Sequence, residues 1–180
     1  MSFAKVLLVD VVETKEAYVA QAVLDVCEKY GGGNIVLNND DRLNQLGITD
    51  AVKAKYDSFV WDFSLDRENI AKSAEANIGI VHAEYGLAES GGIVLYATKD
   101  NGRSTSLLPT TSVVVVRKSK VLPRVAQLAQ VLHEKAQAGE RMPSCINIIS
   151  GPSATADIEL IKVVGVHGPV SKIYVVIDDL

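Results

Sequence analysis

Only two cysteines, Cys27 and Cys145, occur in 180 residues. That is too few for an iron–sulfur cluster or a structural zinc site built from this chain alone. Sparse cysteine also fits a reducing cytoplasm, the compartment expected here. Basic residues are not in excess, since 18 Lys and Arg stand against 22 Asp and Glu for a net charge of −4. Binding to nucleic acid by counterion release needs a basic face, so no nucleic-acid partner is expected. Apolar runs fall short of the roughly 18 residues that span a bilayer, and no membrane span is expected. Residues 5–12 are interrupted by Asp10 and lack a small-residue cleavage site, so they do not read as a signal peptide. Proline-rich linkers, internal repeats and low-complexity tracts are also missing, so residues 1–180 are expected to form one domain. There is no Walker-type phosphate loop, no G-x-G-x-x-G fingerprint, no serine in a nucleophile elbow and no metal-ligand set.

The composition that remains is ordinary, with 48% hydrophobic and 22% charged residues. A chain of this length buries on the order of 70% of its extended surface and needs no disulfide staple. Apolar runs and helical periodicities alternate along it. Residues 5–12 predict a strand, and Ala17, Ala20, Val23, Leu24 and Cys27 recur at helical spacing before the Gly31-Gly32-Gly33 stop. Strands are expected at 34–37, 58–63, 78–81, 93–96, 112–117, 145–149 and 172–177. Helices are expected at 66–76, with Asp66 as N-cap, and at 122–138. The four consecutive valines Val113 to Val116 suit a strand buried on both faces. Such alternation implies an α/β fold with a mostly parallel sheet between helical layers.

Four segments concentrate chemistry. The run Ser150-Gly151-Pro152-Ser153-Ala154-Thr155-Ala156-Asp157-Ile158-Glu159 follows an apolar strand and is expected to open a helix. A helix start presents unpaired N–H groups and a positive dipole end to an anion, with Ser153 and Thr155 as hydroxyl ligands; the alternative is a plain capped helix. In the glycine-rich stretch of residues 82–92, Glu89 is either a tuned general base or nucleophile, or a solvated turn carboxylate. His167, between Gly165 and Gly168 on a turn, is either a proton donor or bonded to a backbone carbonyl. Asp100-Asn101-Gly102-Arg103 is a turn that places Arg103 on a loop, suited to capture of a carboxylate or phosphate or simply solvated. His133 falls within the amphipathic helix and reads as structural, while His82 is open to either reading.

Taken together these segments resemble the lactate-utilization (LUD) domain family, in its lactate utilization protein C branch. The shared pattern is Leu87-Ala88-Glu89-Ser90-Gly91-Gly92, then Gly102-Arg103, then Leu107-Leu108-Pro109 before a β-run. Residues 151–159 and Gly165-Val166-His167-Gly168-Pro169 complete it. The resemblance implies a fold like the NagB/RpiA/CoA-transferase group and a role in oxidising L-lactate to pyruvate. It implies iron–sulfur and cysteine-rich partner proteins that carry the clusters, and no cofactor in this chain. It carries over Glu89, Asp157 and His167 as catalytic candidates, and Gly91, Arg103, Gly151, Ser153 and Thr155 as contacts to an anionic small-molecule substrate. Ala154 stands where the family usually has Arg or Lys, and Ser90 and Gly92 replace two threonines. The chain is also expected to lack an N-terminal helical extension found in many members. A different reading of the same residues is a stand-alone enzyme or sensor for a phosphorylated or CoA-linked metabolite, with Glu89 as acyl acceptor.

Overall fold

Runs rich in valine and isoleucine build the sheet because β-branched side chains fit a pleated, buried surface. In the computed structural model, residues 7–156, 161 and 163–180 are described. The central strands are β1 (Val9–Thr14), β2 (Ile35–Leu37), β3 (Ser58–Val60) and β4 (Ile78–His82). A second sheet draws on β5 (Tyr85–Leu87) and β6 (Gly92–Ala97). Next come β7 (Thr111–Arg117), β8 (Val121–Leu122), β9 (Cys145–Ile149), β10 (Ala154–Thr155), β11 (Val163–Val164) and β12 (Ser171–Ile177). The helices are α1 (Val19–Lys29), α2 (Asp41–Gln45), α3 (Ile48–Lys55), α4 (Arg67–Glu75), α5 (Ser104–Leu107) and α6 (Val125–Gln137).

Six strands form one all-parallel sheet in the order β1-β12-β7-β4-β2-β3. One face buries Ile35, Ile78, Val113, Val115, Ile173 and Val175 against Val19, Val23 and Cys27 of α1 and Ile48 and Val52 of α3. The opposite face carries Val9, Val81, Val114, Val116, Tyr174 and Val176, which pack on Ile93 and Leu95 of β6. Those two residues belong to a smaller sheet ordered β8-β5-β6-β9, whose β5–β6 and β6–β9 pairs are antiparallel. The architecture is α/β with a mostly parallel sheet, as expected, but the second covering layer is a sheet as well as helix. Residues 93–96 and 145–149 are strands, yet they pair with each other in that second sheet rather than with the parallel one.

Other boundaries moved. β1 begins at Val9, and β3 stops at Val60 because Phe63–Leu65 closes a 3₁₀ turn. Asp66 does precede α4, but its side chain makes no capping bond; Asn69 donates to the carbonyls of Asp62 and Asp66 instead. α6 is amphipathic in pattern while burying only Leu128 fully, and His133 lies on its exposed side. Within the described part of residues 150–159 there is no helix: Ala154–Thr155 pairs antiparallel with Val163–Val164. Among the described residues no helix is long and apolar enough to cross a membrane.

α5 lies almost in contact with the sheet at Gly79, where an added Cβ would sit 1.9 Å from the Thr105 carbonyl oxygen and 2.8 Å from the Pro109 ring. No rotamer change relieves a clash with backbone. Gly79→Ala is therefore expected to destabilise the fold by about 2 kcal/mol or more in urea unfolding, above the usual cost of overpacking by one methyl. At Gly139, where φ is +74° and nothing lies within 4 Å, alanine meets only the left-handed backbone cost of about 1–2 kcal/mol.

Candidate functional site

The seam between the two sheets brings the motif segments together. Tyr174, in the middle of β12, points to the face that β6 covers and is 5% exposed. A buried phenol needs partners, and its hydroxyl donates to the Gly91 carbonyl at 3.0 Å while a backbone hydrogen bond reaches it from Gly151. Burial pushes the phenol up to about 12, and the Gly151 bond works in the opposite direction. One side chain thus ties residues 88–92 to residues 150–153. Gly151 adopts φ +77°, and a Cβ there would come within 3.0 Å of the Leu7 carbonyl oxygen, so the turn both needs the left-handed region and approaches backbone closely.

Two further motifs meet at Ser153. Its N–H donates to the Pro169 carbonyl at 2.9 Å, and its carbonyl accepts from Gly165 at 2.8 Å. Its Oγ accepts from the His167 backbone N–H at 3.3 Å. Gly168 nests beside it, a Cβ there falling 3.3 Å from both the Leu107 carbonyl oxygen and the Ser153 side chain. The segments 107–109, 151–153 and 165–169 are therefore one structural unit. The anion site expected at a helix start is not formed this way, because the Ser153 N–H is already committed to Pro169.

The remaining candidates lie apart from that unit. Arg103 is exposed and its Nε donates to Asn147 Oδ1 at 3.2 Å. Glu89 is exposed, its backbone N–H bonds the Pro123 carbonyl, and its carboxylate faces Arg124 at 3.9 Å. His167 is exposed, and Thr155 belongs to β10. Among the described residues no hydrogen bond or ion pair joins Glu89, Arg103 and His167 to one another. Asp157 lies outside the described residues. Beside Gly91 and Tyr174 opens an apolar cleft of about 250 Å³, walled by Val11, Leu87, Ile93 and Val116 with Lys118 among its lining residues.

Sequence reasoning missed two polar features. Lys172 is 2% exposed and shares its face with Tyr174. The row Val9, Lys172, Ser112, Gly79 crosses four strands in register, and the Ser112 hydroxyl is buried without a hydrogen-bond partner. No carboxylate among the described residues pairs with the Lys172 amine, and burial alone holds it down to about 8. Its alternation with Ile173 and Tyr174 in an apolar strand was the available signal. The second feature is a cluster at the carboxyl ends of β2 and β4. Arg42 donates Nε to Asp40 Oδ1 at 2.9 Å and Nη2 to Asp40 Oδ2 at 2.7 Å, and Nη2 also reaches Glu84 Oε1 at 2.6 Å. Burial works to raise the Asp40 carboxyl, but the hydrogen bonds and charge of Arg42 outweigh it and leave it below the usual range. His82 beside them is buried, with neither ring nitrogen partnered, and burial followed by the Arg42 charge holds it down to about 4. Among the described residues no group of three or more His, Cys, Asp or Glu could hold a metal ion.

This is a parallel-sheet α/β protein in which the turns of Gly91, Gly151, Gly165 and Gly168 meet on one seam. The chain belongs to the LUD domain family, which matches residues 4–177. It is 56% identical over 166 residues to the uncharacterized protein YkgG of Escherichia coli, covering 92% of this chain and 72% of that one. It is 45% identical over 170 residues to lactate utilization protein C of Halalkalibacterium halodurans, covering 94% of this chain and 74% of the relative. Among solved structures, a DUF162 family protein from Deinococcus radiodurans shares the fold with a TM-score of 0.63 at 20% identity, over 94% of this chain and 88% of that one.

Tyr174→Phe removes the hydroxyl and leaves a buried carbonyl and N–H without it. Chemical unfolding is expected to show a loss of about 1–3 kcal/mol, with faster hydrogen exchange at Gly151. Lys172 yields a pH test. Its amine is depressed from 10.5 to about 8 in the folded chain, so the unfolded chain binds more protons between those values and stability gains with rising pH there. Below that window the burial costs on the order of 3 kcal/mol. Lys172→Met is expected to be more stable than the parent at neutral pH, with the difference shrinking as pH rises from about 8 toward 10.5. Equal pH profiles for the two proteins would contradict this assignment.

Proposed function

We propose that this chain is a subunit or accessory protein in the oxidation of L-lactate to pyruvate, working in the cytoplasm with iron–sulfur and cysteine-rich partner proteins. The observation that carries the reading is family membership together with relatives named lactate utilization protein C, one of them 45% identical over 94% of this chain. The seam supports it physically, because the segments that resemble the family's motifs fold onto each other through Tyr174 and Ser153.

Oxidation of lactate removes two electrons and two protons from the hydroxyl-bearing carbon and its oxygen. This chain's own groups suit the proton and anion parts of that task. Arg103, exposed beside Asn147, is the candidate contact for the carboxylate. Gly91, Gly151, Ser153 and Thr155 are kept as candidate substrate contacts, and Glu89, Asp157 and His167 as candidate proton carriers, on the family resemblance. The electrons would pass to clusters in the partners, since Cys27 is fully buried and Cys145 alone makes no cluster ligand set.

Tagged protein recovered from its native cells, assayed for iron and for lactate-dependent dye reduction, tests the reading. An iron-containing, lactate-oxidising complex is the expected result. Arg103→Ala and His167→Ala should each lower its lactate-dependent rate by about tenfold or more without changing complex recovery. A lone, colourless protein inert to lactate would move the function to a stand-alone enzyme or sensor. Full activity in both variants would remove these residues from the site.

A further inference from the structure

The strand order points to a place that the motif segments do not use. From β2 the chain steps outward to β3, returns to lay β4 on the other side of β2, and then moves away through β7 and β12. The direction of winding reverses between β2 and β4. In open parallel sheets the carboxyl ends of the strands at such a reversal border the crevice where ligands bind. Here those ends carry Asp40 and Arg42 after β2, and His82 and Glu84 at the end of β4.

Arg42 bridges the reversal, holding Asp40 with two bonds and Glu84 Oε1 with a third. The carboxylate fixed in this way lines a cleft of about 660 Å³, within the roughly 300–1,000 Å³ usual for small-molecule sites. Tyr96 and Thr98 from the end of β6, Lys135 from α6 and residues 140–144 form the other walls. Apart from Arg141 on the rim, the charges of the cleft are matched: Glu84 by Arg42, Glu140 by Lys135 at 2.7 Å, and Asp100 by Lys99 at 3.0 Å. Away from Arg141, an ion entering among these pairs would have to break one. Hydrogen-bonding capacity, by contrast, is unmet. The Tyr96 hydroxyl is buried without a partner, and both ring nitrogens of His82 are unpartnered behind the Arg42 bridge. The Tyr96 phenol is raised first by burial and then by nearby Tyr85 and Glu84, which places those groups around it.

We propose that this cleft is a second small-molecule site, separate from the motif seam, and that it takes an uncharged, hydroxylated ligand such as a sugar. Vicinal hydroxyls of that ligand bond the Tyr96 hydroxyl and the Glu84 oxygen that Arg42 leaves free. Arg141, on the rim, is exposed and has no counter-charge among the described residues, so it marks where an anion would bind instead.

Saturation-transfer NMR and calorimetry on the purified chain, with D-glucose as the neutral probe and inorganic phosphate as the anionic one, decide between them. Glucose should bind with an affinity insensitive to added sodium chloride. Tyr96→Phe should weaken it by about fivefold or more, and Arg141→Ala should leave it unchanged. Tyr96→Phe deletes an unpartnered hydroxyl, so the variant should melt no lower than the parent; Glu84→Gln, which keeps the shape and removes the acceptor charge, is the second variant and should weaken glucose likewise. No glucose binding, glucose binding indifferent to both variants, or phosphate binding alone and lost with Arg141 would each overturn the proposal. Lactate-dependent activity of the reconstituted complex is read separately and bears only on the motif seam.

Discussion

A parallel sheet that is apolar on both faces must be covered on both, and this requirement organises the molecule. Six strands present Ile78, Val113 and Ile173 to one side and Val81, Val114 and Tyr174 to the other. Helices α1 and α3 close the first side. The second side is closed by an antiparallel sheet, and the chain has to leave the parallel sheet after β4, build β5 and β6, return for β7, and leave again for β9. Every candidate motif lies on one of those excursions or on the approach to β12. Their meeting follows from the covering requirement: each excursion must end close to where the next central strand starts.

The seam between the sheets is apolar overall, yet it contains Tyr174, Lys172 and Ser112. Tyr174 is satisfied by two loops and so fixes them relative to each other. Lys172 and Ser112 are not satisfied among the described residues, and an uncompensated buried amine opposes stability. Unmet polar groups in an otherwise well-packed interface are commonly kept for a task rather than for the fold. The cluster of Asp40, Arg42, Glu84 and His82 at the other end of the strands is built differently, since each of its charges is held by an opposite one. The two regions therefore differ in chemistry: the seam holds a buried amine without a counter-charge among turns that are hydrogen-bonded to one another, and the crevice holds paired ions beside unpartnered neutral groups.

Much of this architecture was legible in the residue pattern. Val113 to Val116 suited a strand buried on both faces and form one, and the apolar period of Val23 and Cys27 described α1 before Gly31 ended it. The family motifs were legible as well, because they are local strings in a set order. Other features were out of reach of local reasoning. The Gly-Pro-Ser run after β9 has the composition of a helix start, but Ser153 found its hydrogen-bond partners in residues 165–169, and the chain continued as a strand. Arg42 and Glu84 are 42 residues apart and form one ion pair, which no spacing rule within a single element describes.

What the sequence determined alone was therefore whatever depends on neighbours along the chain: element type, apolar faces, the scarcity of sulfur ligands and the identity of the motif strings. Periodicity of side chains and turn residues acts over a few positions, so it can be read from one line of letters. The tertiary structure decided which strands pair and in which direction, which face Lys172 and Tyr174 enter, and which groups are left without a partner. Those outcomes rest on burial and hydrogen bonding between segments far apart in the chain, where the partner is chosen by the packing of the whole domain.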